Sequence, residues 1–139
     1  MNLTIIRGLP GSGKTTMAYS LADHDRGDVV VEADLFFENE SGEYNFDQSK
    51  LTEAHAWCRE QVIAALREGK RVFVSNTFTT FSELRPYFDI AKNMFGITPT
   101  VITCQNNWGS VHDVPVGTWL NMKKRFAHDV SALFEEYRE

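Results

Sequence analysis

Nine residues near the start of the sequence, GLPGSGKTT at positions 8–16, carry groups suited to binding phosphate. They fit the pattern G-x-x-x-x-G-K-[ST] without a mismatch, between an apolar run and a helix-like segment. Glycines let the backbone turn tightly so that its N–H groups point at phosphate oxygens, and the following helix adds the positive end of its dipole. The pattern predicts a nucleotide-binding P-loop formed by Gly8, Pro10, Gly11, Ser12, Gly13, Lys14, Thr15 and Thr16.

Two side chains of this loop are predicted to take part in chemistry. Lys14 would reach the β- and γ-phosphates of the nucleotide, and it is the first catalytic residue that we predict. Thr15 would offer its hydroxyl to Mg²⁺, and it is the predicted metal ligand. A nucleoside triphosphate and magnesium are therefore the expected cofactors.

Asp34 is the second predicted catalytic residue, at the end of the β-branched run VVVEAD at 29–34. A carboxylate at the end of a strand on the ligand side of a sheet can accept the proton of an attacking hydroxyl. This general-base role requires hydrogen-bonding distance to that hydroxyl. The alternative interpretation is an aspartate that caps the following loop.

Two weaker candidates lie further along the chain. The segment SNT at 75–77 ends a predicted strand where many P-loop proteins place an aspartate near the metal, but this chain has Asn76. An asparagine can orient water or substrate without supplying charge, and a polar residue without a role is the alternative. His55 lies in the apolar face of a predicted helix, where it is either a satisfied core residue or a substrate contact.

Strand-like and helix-like segments alternate along the chain, which predicts an α/β fold. Four apolar or β-branched runs indicate strands at 3–8, 29–34, 71–77 and 100–104. We expect a parallel sheet of four to five strands with helices on both faces. The 139 residues fit one domain, 1–139, without a linker or a repeat.

Three amphipathic patterns indicate the longer helices. The first has apolar residues at 51, 54, 58, 62, 65 and 66, and the second spans 84–95 with Pro86 expected to make its first turn irregular. The last begins near Pro115, and we expect it to continue as one helix. Its predicted buried residues are Trp119, Met122, Phe126, Val130, Leu133, Phe134 and Tyr137.

Composition limits the partners. The net charge is −5, from 14 basic and 19 acidic residues, so extended duplex binding is not expected. The segment at 35–49 is acidic with interleaved aromatic residues, and it is either a solvated loop or a flap beside the substrate. Cys58 and Cys104 lack metal-ligand spacing and are expected to be reduced thiols. Short apolar runs predict no membrane span, and a cytoplasmic protein is the expectation.

Several segments together resemble the polynucleotide-kinase-like branch of P-loop kinases: RGLPGSGKTT, ADLFF…GEYNFD…LTEAHAW, SNTFTT and a late HDVP. The resemblance runs from about residue 3 to 87 and resumes at about 112. It implies a P-loop NTPase of the nucleoside- and polynucleotide-kinase type, with ATP phosphates over Gly11–Thr16. It also implies an acceptor hydroxyl, such as the 5′-hydroxyl of a nucleotide or short nucleic-acid end, near Asp34, and it favours a functional His55.

The sequence departs from this family at the lid, the segment before the last helix. Such kinases carry an arginine there that spreads positive charge over the transferring phosphoryl group. Here the segment is QNNWGSVHDVP, with Gly109 and Ser110 at the expected arginine position and no Lys or Arg from residue 93 through 122. A cation could instead come from a partner or from five residues of this chain: Arg125, Lys124, Lys123, Arg7 and Arg85.

These observations leave two main hypotheses and a smaller third. The first is ATP- and Mg²⁺-dependent phosphoryl transfer to a hydroxyl of a nucleotide or short nucleic-acid end. The alternative is a weak or inactive nucleotide-binding protein that regulates or inhibits a protein partner, supported by the uncharged lid and by exposed aromatic candidates such as Phe36, Phe37 and Trp108. A small-metabolite kinase is the third.

Overall fold

A computed structural model describes residues 1–107 and 114–138 of the chain. Its sheet has four strands: β1 (Asn2–Gly8), β2 (Val29–Val31), β3 (Arg71–Asn76) and β4 (Thr100–Cys104). All pairs are parallel, in the order β2-β3-β1-β4, so the strand of the P-loop lies in the interior of the sheet. The predicted α/β fold with a parallel sheet is confirmed.

Among the described residues, five α-helices connect and cover the strands: α1 (Lys14–Leu21), α2 (Leu51–Arg67), α3 (Phe81–Asp89), α4 (Val116–Arg125) and α5 (Ser131–Glu136). A π-helical turn, Ile90–Met94, continues α3. Short 3-10 helices occupy His24–Arg26, Ala33–Phe37 and Gln48–Lys50. Within the described residues, no helix is both long and apolar enough to cross a bilayer.

Alternation along the strands gives the sheet two apolar faces. On one face, Leu3 and Ile5 of β1 join the larger core with side chains of α2, α3 and α5. On the other face, Ile6 and Phe73 pack with Ala18 of α1 in a smaller cluster. The parallel arrangement brings the carboxyl ends of β1, β2 and β3 to one edge, where the P-loop begins.

The second strand is shorter than predicted, and this moves Asp34 out of the sheet. β2 ends at Val31, which pairs with Val74, and Asp34 lies in the 3-10 helix Ala33–Phe37. The chain leaves the sheet because the backbone N–H of Ala33 donates to the side-chain Oδ1 of Asn76 at 2.9 Å instead of to a backbone carbonyl of β3. The prediction that Asp34 ends the second strand is therefore wrong by three residues.

The predicted last helix is two helices. A break from Phe126 to Val130 separates α4 from α5, and the Ala127 N–H in this break donates to the Thr79 carbonyl at 2.7 Å. Phe126 is buried against the guanidinium of Arg7. None of the ten residues of α4 is buried, so Trp119 and Met122 are only partly covered, contrary to the prediction. Phe134 and Tyr137 of the predicted set are also partly exposed.

Pro86 does not disturb the first turn of its helix. That turn is closed by a capping box in which the side chains of Thr80 and Glu83 bond to each other's backbone N–H groups. Pro86 is the sixth residue of α3, and the irregularity follows it as the π-helical turn that begins at Ile90.

Candidate functional site

The P-loop is shaped by a tight turn and by close backbone packing. The Ser12 N–H donates to the Leu9 carbonyl at 3.0 Å, with Pro10 and Gly11 as the central residues of the turn. Gly11 has φ +83°, the value that a type II turn requires at this position and that favours glycine. At Gly8, a Cβ would collide with Ser12 Oγ and lie 2.7 Å from the Cys104 carbonyl. This loop therefore depends on its glycines.

One cation and one hydroxyl of the loop are withdrawn from solvent. The hydroxyl of Ser12 is buried beside the backbone of Gly8, without a hydrogen-bond partner among the described residues. Burial lowers the pKa of Lys14, while the carboxylates of Glu32 and Asp34 act to raise it. The loop and its half-buried cation fit the phosphates of a nucleotide.

Glu32 was not predicted from the sequence, yet it touches the proposed metal ligand. The Thr15 hydroxyl donates to Oε1 of Glu32 at 2.6 Å. Two oxygen ligands from the protein, with water completing the octahedron, are typical of Mg²⁺ sites. Sequence reasoning missed this residue because it extended the second strand too far. Since β2 ends at Val31, Glu32 is the first residue beyond the strand, on the ligand side of the sheet.

Asp34 and His55 share the electrostatic environment of Lys14. The negative charge of Asp34 acts to raise the pKa of both Lys14 and His55. For His55 the larger effect is burial, which lowers its pKa, and Glu83 is a second carboxylate that opposes this. Lys14 follows the carboxyl end of β1, Glu32 and Asp34 follow that of β2, and His55 lies on α2. Asp34 is exposed, whereas His55 is half-buried.

Asn76 supports the segment that carries Asp34. Its Oδ1 accepts the Ala33 N–H, and its Nδ2 donates to Cys58 Sγ at 3.6 Å. The side chain is 9% exposed, and both ends of its amide are bonded to protein. The structure therefore places Asn76 beneath the site, with a position more suited to support than to contact with a ligand.

The three arginines that were considered as substitutes for a lid arginine are engaged elsewhere. Arg7 is fully buried, where its Nε and Nη2 donate to the Phe78 carbonyl at 3.0 and 2.8 Å and burial lowers its pKa to about 10. It lies at the end of β1, in the interior of the sheet. Arg85 pairs with Glu136 at 3.0 Å. Arg125 donates from Nε to Thr79 Oγ1 at 2.9 Å, on the connection between β3 and α3.

Helix α4 contacts the P-loop directly. Nε1 of Trp119 donates to the carbonyl of Pro10 at 3.2 Å. One turn later, the ammonium of Lys123 lies 5.3 Å from the centre of the Trp119 ring. The predicted lid residues Trp108, Gly109, Ser110 and His112 lie outside the described residues.

The acidic segment 35–49 is folded beside Asp34. An antiparallel bridge joins Glu38 and Tyr44, and Phe37 packs against Tyr44 and Phe46 with ring centres 6.3 and 5.1 Å apart. Phe37 is buried and Phe36 is half-buried against Trp57, so neither is the exposed aromatic residue that was expected. Phe46 is 51% exposed and does present a ring to solvent.

Comparisons with known proteins agree with this geometry. The sequence profile of a family described as "AAA domain" matches residues 3–127. Human NEDD4-binding protein 2 is 32% identical over 91 residues, which are 65% of this chain but 5% of that protein. The chain therefore spans a small part of the curated relative that it matches.

Two solved structures have the same fold. A chain of a structure described as the Pnkp1/Rnl/Hen1 complex superposes with a TM-score of 0.58 at 20% identity, covering 93% of this chain and 40% of that one. The APS kinase of Mycobacterium tuberculosis superposes with a TM-score of 0.59 at 15% identity, and the alignment covers 96% of each chain. Identities this low establish the fold, which is that of P-loop kinases. Since the family profile covers most of the sequence, the chain belongs to this AAA domain family, and its fold is that of P-loop kinases.

Proposed function

We propose that this chain transfers the γ-phosphoryl group of ATP, with Mg²⁺, to a hydroxyl of a nucleotide or of a short nucleic-acid end. The observation that carries the proposal is the convergence of a phosphate loop, a hydroxyl–carboxylate pair and a separate exposed carboxylate. These are the loop at residues 8–16, the pair Thr15–Glu32 and Asp34. Their three roles are the ones that phosphoryl transfer requires.

The phosphate side of the reaction is assigned to Lys14, Thr15 and Glu32. Lys14 holds the β- and γ-phosphates, and its partly desolvated ammonium binds an anion more strongly than an exposed lysine does because the local dielectric is lower. Thr15 and Glu32 would hold Mg²⁺, which supplies positive charge to the phosphate oxygens when bound. The backbone N–H groups of the loop orient the phosphate chain.

The acceptor side is assigned to Asp34. As general base, its carboxylate accepts the proton of the attacking hydroxyl while the new P–O bond forms and the bond to ADP breaks. Because Asp34 is exposed, the proton can then pass to solvent. His55 lies on the same side and is proposed to contact the acceptor.

The surroundings of Asp34 support a short acceptor that carries an aromatic base. Phe46 presents a half-exposed ring, and bases stack on such rings without regard to sequence. Glu38, Glu40 and Glu43 are exposed on the same segment and repel a long phosphate backbone. The likeness to a chain of a structure described as the Pnkp1/Rnl/Hen1 RNA repair complex also favours a nucleic-acid end. Because the cytoplasm supplies ATP and Mg²⁺, we propose it as the location of the protein.

The test is transfer from γ-labelled ATP with Mg²⁺ to a panel of 5′-hydroxyl oligonucleotides, nucleosides and nucleoside monophosphates, with Lys14→Ala as the blank. A labelled product that is absent from the blank supports the kinase and identifies the acceptor. Asp34→Asn should lower kcat by about 10²–10⁴-fold, the usual contribution of a general base, with ATP affinity retained. Glu40→Gln is the matched control, since it removes an exposed carboxylate of the same segment.

Two results would contradict this proposal. An Asp34→Asn variant with wild-type kcat would refute the mechanism. A protein that binds ATP but labels none of the acceptors would refute the kinase, and it would favour the nucleotide-binding regulator.

A further inference from the structure

The residues of the P-loop turn leave the orientation of its central peptide open. Pro10 and Gly11 are the central residues of this turn, which the Ser12 N–H closes on the Leu9 carbonyl at 3.0 Å. Type I and type II turns share such a closing bond, and they differ by rotation of the peptide between the two central residues through about a half-turn. Proline suits the first central position of both types, and glycine is allowed at the second. A contact from outside the loop can therefore decide which way the Gly11 N–H points.

Trp119 of α4 makes that contact. Its indole N–H donates to the Pro10 carbonyl at 3.2 Å, and the peptide bonds of the described residues include no cis bond. In a trans peptide the C=O and the N–H point in opposite directions. The bond to Trp119 therefore holds the Gly11 N–H on the side of the turn that faces away from α4, in the type II orientation that corresponds to the Gly11 φ of +83°.

The Gly11 N–H is available to a ligand. Within residues 1–107 and 114–138, it donates no hydrogen bond to another backbone group. The backbone N–H groups of a P-loop are the groups that cradle phosphate oxygens. A donor that is already oriented when the ligand arrives gives tighter binding, because the loop does not have to be ordered by the ligand.

Polar contacts at the carboxyl end of α4 hold the helix where Trp119 reaches the loop. Nε of Arg125 donates to Thr79 Oγ1 at 2.9 Å, and the Ala127 N–H donates to the Thr79 carbonyl at 2.7 Å. None of the ten residues of α4 is buried, so burial in the core does not fix the helix. The helix is tied at Thr79 and at Pro10, and the bond to Pro10 is the one that bears on the P-loop turn.

We propose that Trp119 is a positioning residue for the nucleotide: it holds the peptide between Pro10 and Gly11 so that the Gly11 N–H meets the phosphates. This inference rests on the phosphate binding in the proposed function. Loss of the indole N–H frees the peptide to rotate, and the apparent affinity then falls with the fraction of loops that keep the binding orientation. The net effect of one neutral hydrogen bond on such an equilibrium is about two- to tenfold.

Binding of inorganic tripolyphosphate and of ATP tests this role without requiring transfer. Trp119→Phe should weaken the binding of both ligands by the same factor, about three- to tenfold, as measured by calorimetry with Mg²⁺. Benzothienylalanine at position 119 keeps the shape of the indole and removes only its N–H, so it should give the same loss. Trp57→Phe is the matched control: it removes an indole from α2, where the ring packs on Phe36, and it should leave both affinities unchanged. Weaker binding of ATP alone would overturn the proposal, because Trp119 would then contact the base instead of orienting the loop.

Hydrogen exchange in the wild-type protein tests the contact without any substitution. When tripolyphosphate binds, exchange of both the Trp119 indole proton and the Gly11 amide proton should slow, as followed by NMR. A phosphate on the N–H of a peptide strengthens the hydrogen bond that the carbonyl of the same peptide accepts. An indole proton whose exchange does not respond to tripolyphosphate would refute the coupling.

The positioning role and the kinase can fail separately. If the wild-type protein labels no acceptor, the proposed function fails, whereas the tripolyphosphate measurements need no acceptor and still decide the role of Trp119. Unchanged affinities in both variants at position 119 would overturn the positioning role even if Tm falls, because the contact would then serve stability alone. The kinase would stand in that case.

Discussion

Replacement of Asn76 by alanine separates a supporting role from a ligand-binding role. The substitution removes the acceptor of the Ala33 N–H, which is bonded to Asn76 at 2.9 Å inside the protein. A buried donor left without a partner costs about 1–3 kcal/mol. Taking about 2 kcal/mol and an unfolding entropy of about 2.1 cal/mol/K per residue, we expect Tm to fall by roughly 7 °C.

The matched control is Asn39→Ala. The Asn39 side chain also accepts two backbone N–H groups, those of Ser41 and Glu43, each at 2.9 Å. These groups are exposed, so water replaces the lost acceptor and the cost should stay below about 1 kcal/mol. The comparison between the two variants isolates the effect of burial.

Thermal unfolding followed by circular dichroism measures the stability of both variants, and calorimetry measures ATP binding. Asn76→Ala should bind ATP within about threefold of wild type, because the P-loop is untouched. Its kcat should fall, since Asp34 stands on the segment that Asn76 holds. An Asn76→Ala protein with wild-type Tm but weakened ATP or Mg²⁺ binding would refute this reasoning and make Asn76 a ligand.

Two further predictions concern carboxylates. Glu32→Gln should weaken Mg²⁺ binding about 10–100-fold, as measured by titrating Mg²⁺ in an assay of ATP-dependent activity. Binding of metal-free ATP should be unchanged or stronger. An unaltered Mg²⁺ requirement would exclude Glu32 from the metal site. Hydrogen bonds from Arg71 lower the pKa of Asp28 from 3.8 to about 2, so this carboxylate stabilises the fold fully above pH 4 and loses that contribution as the pH falls through 2. In acid titrations followed by circular dichroism, Asp28→Asn should be less stable than wild type at neutral pH, and the difference in stability between the two proteins should vanish near pH 2. A difference in stability that stays constant with pH would contradict the lowered pKa of Asp28.

The P-loop could be predicted because its information is local. The spacing of Gly8, Gly13 and Lys14 lies within one short segment, and the turn that forms depends on residues inside it. The same holds for α2, whose apolar positions repeat with the helical period and which the structure gives as Leu51–Arg67.

The parts that could not be predicted depend on partners far away in the sequence. The exit of the chain after β2 is decided by the amide of Asn76, which lies 43 residues after Ala33. The break between α4 and α5 is fixed by Thr79 and by the buried Arg7, and neither contact leaves a signature in the local pattern of hydrophobicity. Glu32 was missed because the extent of β2 was wrong.

The order of strands in the sheet has a consequence for synthesis on the ribosome. β1 is made first, but its two neighbours are β3, which ends at Asn76, and β4, which ends at Cys104. At about 5–20 residues per second, the apolar strand before the P-loop waits roughly 3–14 s for its first neighbour and longer for its second. During this interval the nascent segment LTII has no native pairing, so it is a natural target for chaperones that recognise extended apolar sequences.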